Sequence, residues 1–259
     1  MKPQFSSTPM QIYKDFTEHL KNAQGDSKRT LYLQMLINII KSSVHFEMQP
    51  RNFELSKGLL TTKSEIYIKL PYEAITIVRK TEKCGLDVVC GFWEDKAKNP
   101  EGFYFWCGIL DEDSKKWVPN LNTYEVNYKD ISEGKKEATE LIKLKTSLFR
   151  KEDVPERIDN SMFQMALYSF LDLAELCWAL GMKSTKVEVV DTVPKLHRKL
   201  GNRHLKLQRD FYKLNRVTIA TEREVIVSES KGGTHASPRW HKRRGYWRAM
   251  KKSGKRVWV

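Results

Sequence analysis

The chain has 259 residues, of which 40% are hydrophobic and 30% are charged, and its formal net charge is +14. This length is enough for one large domain or two small ones with a real core. No apolar run approaches the roughly 18 residues that a membrane-spanning helix needs, and the first residues lack the apolar centre of a signal peptide. We therefore expect a folded cytoplasmic protein with no membrane partner.

The positive charge is concentrated in the last quarter of the chain. Residues 195–259 contain 19 Lys and Arg residues against 4 acidic ones, whereas residues 1–194 contain 27 against 28. Such asymmetry is typical of proteins with an acidic partner, for example RNA, DNA, a ribosomal surface or an acidic peptide. A solvated basic face without a partner is the alternative.

Two amphipathic helices are predicted at the amino end. Thr8 is a typical N-cap residue and Pro9 a typical first-turn residue. Gly25 ends the first helix, and Asp26 can cap the second. Apolar residues then recur at helical spacing in both segments.

The pattern changes to one typical of strands between Lys57 and Asn127. Residues 66–70 alternate apolar and polar side chains as a half-buried strand does, and a second strand is predicted over 74–78 after the break at Pro71-Tyr72. The apolar, β-rich segments 86–93 and 103–110 are predicted as two more strands. We interpret these as an antiparallel β-meander with helices packed on one face, which makes the fold class α+β.

The second half is predicted to contain three helices. A charged helix begins at Ser132 and ends near Phe149, and after a polar linker a long apolar helix runs from Ser161 to Gly181 and forms the buried centre of the fold. A strand over 186–190 follows, then a basic helix over 195–214, a strand or hairpin over 217–227 and an edge strand near the end. The predicted domain division has three parts: an amino-terminal helical segment (1–56), an α+β core (57–194) and a basic carboxyl-terminal region (195–259).

The sequence contains no recognisable metal, cofactor or catalytic motif. The four cysteines show no CxxC spacing, so we expect core thiols in a reducing compartment. Two acidic clusters, Glu94-Asp95 and Asp111-Glu112-Asp113, are interpreted as loop residues, with hard-metal ligands of a nuclease as the alternative. A glycine-rich phosphate loop, GxSxG and HExxH are all missing.

The basic tail, residues 233–259, has a composition suited to RNA. It contains nine Lys and Arg residues and no acid, interleaved with aromatic residues. Arginine presents forked donors to phosphate oxygens, and aromatic rings stack on unpaired bases with roughly 1–3 kcal/mol per base. Both together favour RNA or single strands over duplex grooves. The predicted nucleic-acid or ribosome-binding residues are Arg239, Trp240, His241, Lys242, Arg243, Arg244, Tyr246, Trp247 and Arg248.

Two alternatives apply to this tail. Trp247 and Trp258 could instead anchor it on the core. His235 and His241 could form an acid–base pair for RNA cleavage, but residues six apart do not share a helix face and no carboxylate in the tail could orient them. We therefore assign no catalytic residue.

The run PRWHKRRGYWR, residues 238–248, resembles a known signature. It is similar to the carboxyl-terminal motif of the phage and plasmid anti-CRISPR family that suppresses production of the type V-A CRISPR nuclease. Similar anchors are Leu70-Pro71-Tyr72, Gly91-Phe92-Trp93 followed by Asp95, Leu176-Cys177 and Pro194-Lys195, so the resemblance covers about 70–259. Tyr246 stands where the family usually has histidine, which argues against catalysis at this position, and Trp240 stands where proline is common.

The resemblance implies a binding protein rather than an enzyme, with no cofactor. Its partners would be the nascent polypeptide of a target protein, such as a CRISPR nuclease, together with RNA or the ribosome, and binding during translation would lead to loss of the target mRNA. An extended peptide could add to a strand edge around Ile75, Ile77, Phe92 and Trp93, unless these four are ordinary core. The alternatives are an RNA- or DNA-binding regulator without a peptide site, and a ribonuclease.

Overall fold

The computed structural model describes most of the sheet and its helices and part of the carboxyl end. The described residues are 8–23, 25–49, 68–79, 87–133, 138–147, 156–182, 185–193, 207, 209–219, 247–249 and 256–258. Residues 50–67, most of 194–208 and nearly all of the basic tail lie outside this set.

The two amino-terminal helices are confirmed, with the predicted caps. Helix α1 is Pro9–Asn22 and helix α2 is Ser27–Ser42. The Thr8 hydroxyl accepts a hydrogen bond from the backbone N–H of Gln11, and the Asp26 carboxylate accepts one from that of Arg29. Each cap satisfies an N–H group that the helix itself leaves unpaired.

A nine-stranded mixed sheet forms the centre of the described structure. Its strands are β1 (Val44–Met48), β2 (Ala74–Arg79), β3 (Val88–Trp93), β4 (Gly102–Leu110), β5 (Trp117–Pro119), β6 (Asn122–Asn127), β7 (Lys143–Ser147), β8 (Thr185–Asp191) and β9 (Lys213–Ile219). The spatial order is β7-β6-β4-β3-β2-β1-β9-β8, and β5 pairs with β4. Only β1 makes parallel pairs within this sheet, with β2 and with β9.

The remaining helices are α3 (Tyr128–Glu133), α4 (Ala138–Leu141) and α5 (Glu156–Gly181), with a short 3-10 helix over Arg209–Tyr212. Together with the mostly antiparallel sheet they make the fold α+β, and α5 confirms the predicted long helix that ends at Gly181. No helix within the described ranges is long and apolar enough to cross a membrane.

Helices cover both faces of the sheet, so the expectation of a single covered face is wrong. On one face α5 packs on a core that includes Ile77, Phe92 and Phe105. On the other face α1 and α2 pack on a second core that includes Val78 and Trp106. Neighbouring strand residues point to opposite faces, and in the central strands both sets are apolar, so each face needs a helical cover.

Three predicted elements differ from the structure. The helix predicted from Ser132 to Phe149 is replaced by α3, α4 and β7, because residues 143–147 pair with β6 at the sheet margin. Residues 68–70, predicted as strand, are irregular although Ile68 and Leu70 are buried. The carboxyl end of the predicted basic helix is the 3-10 helix followed by β9, and the rest of that helix lies outside the described residues.

The sheet takes strands from all three predicted segments of the chain. Strand β1 comes from 1–56 and lies between β2 and β9, and β9 comes from 195–259. No local pattern in the sequence marks β1 or β9 as a central strand. Their pairing joins residues almost 170 positions apart, which no local pattern shows.

Gly91 is required by a neighbouring tryptophan. It lies opposite Trp106 in the β3–β4 pair, and a Cβ at this position would overlap the indole ring of Trp106, which is fully buried. We expect Gly91→Ala to lower the free energy of unfolding by about 1–3 kcal/mol, the usual cost of overpacking. Urea denaturation checks this. If the clash is the cause, Gly91→Ala costs less in a chain that already carries Trp106→Leu than in the unmodified chain, and an unchanged midpoint in Gly91→Ala would contradict the prediction.

Candidate functional site

The predicted nucleic-acid-binding residues lie almost entirely outside the described residues. Only the backbone at Trp247 and Arg248 is described, in strand β10 (Trp247–Ala249). This strand pairs antiparallel with β11 (Arg256–Trp258), and Trp247 lies directly opposite Trp258. The predicted terminal strand is thus confirmed, as half of a two-stranded ribbon. Arg239, Trp240, His241, Lys242, Arg243, Arg244 and Tyr246 are outside the described ranges.

The predicted peptide-binding residues do not lie at an open strand edge, and this expectation is wrong. Strand β2 lies between β1 and β3, and β3 lies between β2 and β4, so both edges of each strand are already paired. Ile75, Ile77 and Phe92 are fully buried in the core beneath α5, and Trp93 is half-buried on the opposite face. Ile75, Ile77 and Phe92 are thus ordinary core residues, as the alternative interpretation stated.

The carboxyl ends of β1, β2 and β9 meet at one edge of the sheet, which we call the carboxyl edge. Met48 is in register with Arg79 of β2 and with Val217 of β9, so these three residues form a row across the parallel strands. Strand β9 ends at Ile219, two residues after this row. Residues 220–259, which include the basic tail, therefore start from the carboxyl edge. Ligand sites in parallel sheets are often found at such edges.

Arg79 of this row belongs to a buried cluster of charges with Asp172 and Glu175 of α5. The Arg79 Nε is 2.8 Å from a carboxylate oxygen of Asp172, and its Nη2 is 2.9 Å from Glu175 Oε2. The remaining nitrogen, Nη1, donates to the backbone carbonyl of Gln49 at 3.1 Å. The side chains of Arg79 and Asp172 are 1% exposed and that of Glu175 is 6% exposed. One guanidinium thus ties β2 to α5 and to the chain leaving β1.

The pKa of Arg79 is raised by this arrangement. Burial acts to lower it, but the carboxylates of Asp172 and Glu175 outweigh burial and hold the guanidinium charged. A charge in such a position persists only when it is paired and hydrogen-bonded. Because all three groups are shielded from solvent, the cluster can hold elements together, but it presents no free cation to a ligand.

A second group of polar residues lies on the opposite face, under α2. His45 of β1 is 1% exposed, its ring meets the Phe211 ring edge-on at 5.1 Å, and neither ring nitrogen makes a hydrogen bond to a described residue. Burial lowers the pKa of His45 to about 3, and the Ile40 backbone, which lies near the ring without making a well-formed hydrogen bond, opposes this shift only in part. Two residues along the strand, Glu47 accepts from Arg216 at 2.7 Å.

The acidic clusters behave as loop residues. The Asp111 carboxylate accepts from both the backbone N–H and the hydroxyl of Ser114, which closes a turn and lowers the pKa of Asp111. Glu94 accepts from the Tyr128 hydroxyl at 2.8 Å. Within the described ranges no group of three or more His, Cys, Asp and Glu side chains could hold a metal ion.

The cysteines that are described are core thiols, as predicted. Cys90 and Cys107 are buried opposite each other in the β3–β4 pair, and Cys177 is partly buried on α5. Burial raises the pKa of Cys107 to about 12 and that of Cys177 to about 12. Such thiols are poor nucleophiles at neutral pH. Cys84 is outside the described residues.

The buried charges were missed because the segments that carry them are mostly apolar and were predicted as ordinary core. The signal was present: an arginine ends the β-rich run AITIVR, residues 74–79, and Asp172 and Glu175 stand three apart within the mostly apolar stretch 162–181 of α5. Charged residues within apolar runs indicate buried pairing when their partners are found elsewhere in the chain.

Comparison of this chain with protein-family models, curated proteins and solved structures finds no match.

Proposed function

We propose that this protein is an anti-CRISPR-like regulator of phage or plasmid type, located in the cytoplasm. In this proposal the protein binds the nascent polypeptide of a target during translation, its basic carboxyl-terminal region contacts RNA or the ribosome, and production of the target falls because the mRNA is lost. The resemblance of residues 238–248 suggests this activity. The observation that carries the RNA-binding part is the separation of charge between the two parts of the chain.

The ion pairs of the folded body, meaning the nine-stranded sheet and its helices, support this separation. Exposed lysines of the body lie beside acids: Lys116 is 2.6 Å from Glu18, and Lys145 is 3.2 Å from Glu125. Lys143 is 3.4 Å from Asp130, and Lys98 is 3.4 Å from Asp95. The basic tail has no acid of its own. In this proposal the charge of the tail meets an external polyanion.

The experiment that tests the whole proposal is purification of the tagged full-length chain from translating cells, followed by sequencing of bound RNA and identification of bound peptides. We expect ribosomes, one enriched transcript and the nascent chain that it encodes. Puromycin, which releases nascent chains, should detach the enriched transcript. Recovery of neither RNA nor ribosomes would overturn the proposal. Recovery of RNA that is insensitive to puromycin and without enriched peptides would favour a plain nucleic-acid regulator.

The tail makes a quantitative prediction for RNA binding in vitro. Arg243→Ala with Arg244→Ala should reduce the slope of log K against log salt by about 1.4, because each phosphate contact on single strands contributes about 0.7. Trp247→Ala should lower the affinity by about tenfold, because a stacked base is lost, and should leave that slope unchanged. Fluorescence anisotropy with a labelled single strand measures both quantities.

The matched control removes two lysines from the body. Lys96→Ala with Lys98→Ala takes the same charge from the exposed turn between β3 and β4, and we expect the affinity and slope to stay close to those of the unmodified chain. An equal effect of the two double variants would show that the tail has no special role. Degradation of the labelled strand by pure protein, abolished by His241→Ala, would instead support the ribonuclease alternative.

A further inference from the structure

Strand β8 presents an unusual edge of the sheet. It pairs with β9 on one side, and no described residue pairs with its other side. Residues 186–189 are all exposed, with Val187 exposed by 42% and Val189 by 59%. An edge strand with a free row of backbone N–H and C=O groups can pair with another chain.

We propose that β8 pairs antiparallel with β8 of a second copy of this chain, about a two-fold axis at Val187. The sheet then continues from one molecule into the other. In this register Val187 lies opposite its own copy, Lys186 lies opposite Glu188, and Thr185 lies opposite Val189. A two-fold axis requires such self-complementarity, since the same surface is used twice.

The charges of β8 fit this register. Lys186 and Glu188 are two residues apart and therefore share a face of the strand. Antiparallel pairing about Val187 brings Lys186 of each copy opposite Glu188 of the other, which makes two ion pairs across the axis. Opposite charges directly across an antiparallel pair stabilise it, and like charges destabilise it.

Other antiparallel pairings of β8 or β7 with a second copy are less favourable. With the axis at Glu188, that carboxylate would meet its own copy. With the axis at Val189, Glu188 would lie opposite Val190, and Val187 opposite Asp191. Strand β7 at the other end of the sheet would place Lys143 opposite Lys145 about an axis at Leu144. Among these arrangements, only β8 about Val187 avoids both like-charge and charge–apolar pairs.

The same arrangement would also cover the exposed valines of β8. Val187 is in register with Val217 of β9, which is 2% exposed and belongs to the core beneath α5. Val187 and Val189 therefore continue the buried layer of that face beyond its last covered strand. A second β8 would cover them with Val187 and Thr185 of the other copy, which removes apolar surface from water.

The dimer would arrange the two basic regions in a defined way. Because β9 ends at the carboxyl edge and the two-fold axis reverses strand direction, residues 220–259 of the two copies would start at opposite edges of the shared sheet. Two basic regions in one particle bind a long polyanion more tightly than one does, provided that both can reach it.

Charge exchange tests the proposal on the full chain. The protein is treated with nuclease first, so that bound RNA cannot bridge two copies, and its mass is measured by sedimentation equilibrium over a range of concentrations. We expect a monomer–dimer equilibrium. Lys186→Glu alone and Glu188→Lys alone should each raise the dissociation constant by about tenfold or more, because each replaces two opposite-charge pairs by like-charge pairs.

Two combinations decide the register. A mixture of the Lys186→Glu chain and the Glu188→Lys chain should form a heterodimer, and the double exchange within one chain should restore the homodimer. Lys96→Glu, on the turn between β3 and β4, is the control with the same charge change and should dimerise normally. Circular dichroism checks that each variant is folded. A monomer at all concentrations, a dimer insensitive to both single exchanges, or a mixture that stays monomeric would each overturn the proposal.

Discussion

Arg79→Met is expected to destabilise the protein by about 3–5 kcal/mol, because it leaves two carboxyl groups buried without their cation. Methionine has a similar length and keeps most of the apolar contacts, so the change isolates the charge. Asp172 and Glu175 are 1% and 6% exposed, and neither can turn to solvent without moving α5. Urea denaturation at neutral pH, followed by circular dichroism, measures the loss.

A triple variant separates the charge from the packing. In Arg79→Met with Asp172→Leu and Glu175→Met the buried charges are all removed, and buried ion clusters replaced by apolar residues are often neutral or stabilising. We expect this variant to recover most of the stability lost in the single one. A single variant as stable as the unmodified chain would mean that the carboxyl groups reach solvent or protonate without cost.

His45→Leu is expected to make the protein less sensitive to acid. The pKa of His45 is about 3 in the folded chain against an ordinary 6.5, so burial favours the neutral ring. Above pH 6.5 both folded and unfolded states carry that neutral ring, and this group adds no pH dependence. As the pH falls from 6.5 towards 3 the unfolded chain binds a proton that the folded chain excludes, and the folded state loses stability. By linkage the loss between pH 7 and pH 4 is about 3 kcal/mol.

The measurement is the free energy of unfolding at pH 7 and at pH 4 for both chains. At pH 7 the leucine variant should be close to the unmodified chain, because neither ring nitrogen makes a hydrogen bond to a described residue. At pH 4 it should be the more stable of the two. Glu47 and Arg216 lie on the same face of the sheet and are present in both chains, so their contribution cancels. An identical pH dependence in the two chains would contradict a buried neutral His45.

Sequence patterns predicted correctly those elements whose stabilising contacts lie close together in the chain. The caps of α1 and α2, the end of α5 at Gly181, and strands β2, β3, β4 and β8 were all predicted from spacing and from cap and turn residues. These elements depend on residues close together in the chain, and short-range periodicity records them.

Signals failed where pairing partners are distant in the chain. Leu141, Leu144 and Leu148 recur at near-helical spacing, yet residues 143–147 form strand β7 because β6 offers an edge. Tertiary pairing of this kind overrides intrinsic propensity. The expectation of an open strand edge at the β2–β3 pair was wrong for the same reason, since the sequence does not show that β1 and β4 occupy both sides of that pair.

The sequence by itself determined the α+β class, the helix caps and the concentration of positive charge after residue 194. These properties follow from composition and short-range spacing. Only the tertiary structure decided that Arg79 meets Asp172 and Glu175, that His45 is buried, and that Ile75, Ile77 and Phe92 are core. The physical reason is that burial and ion pairing depend on contacts between distant segments, and the sheet order β7-β6-β4-β3-β2-β1-β9-β8 sets which segments those are.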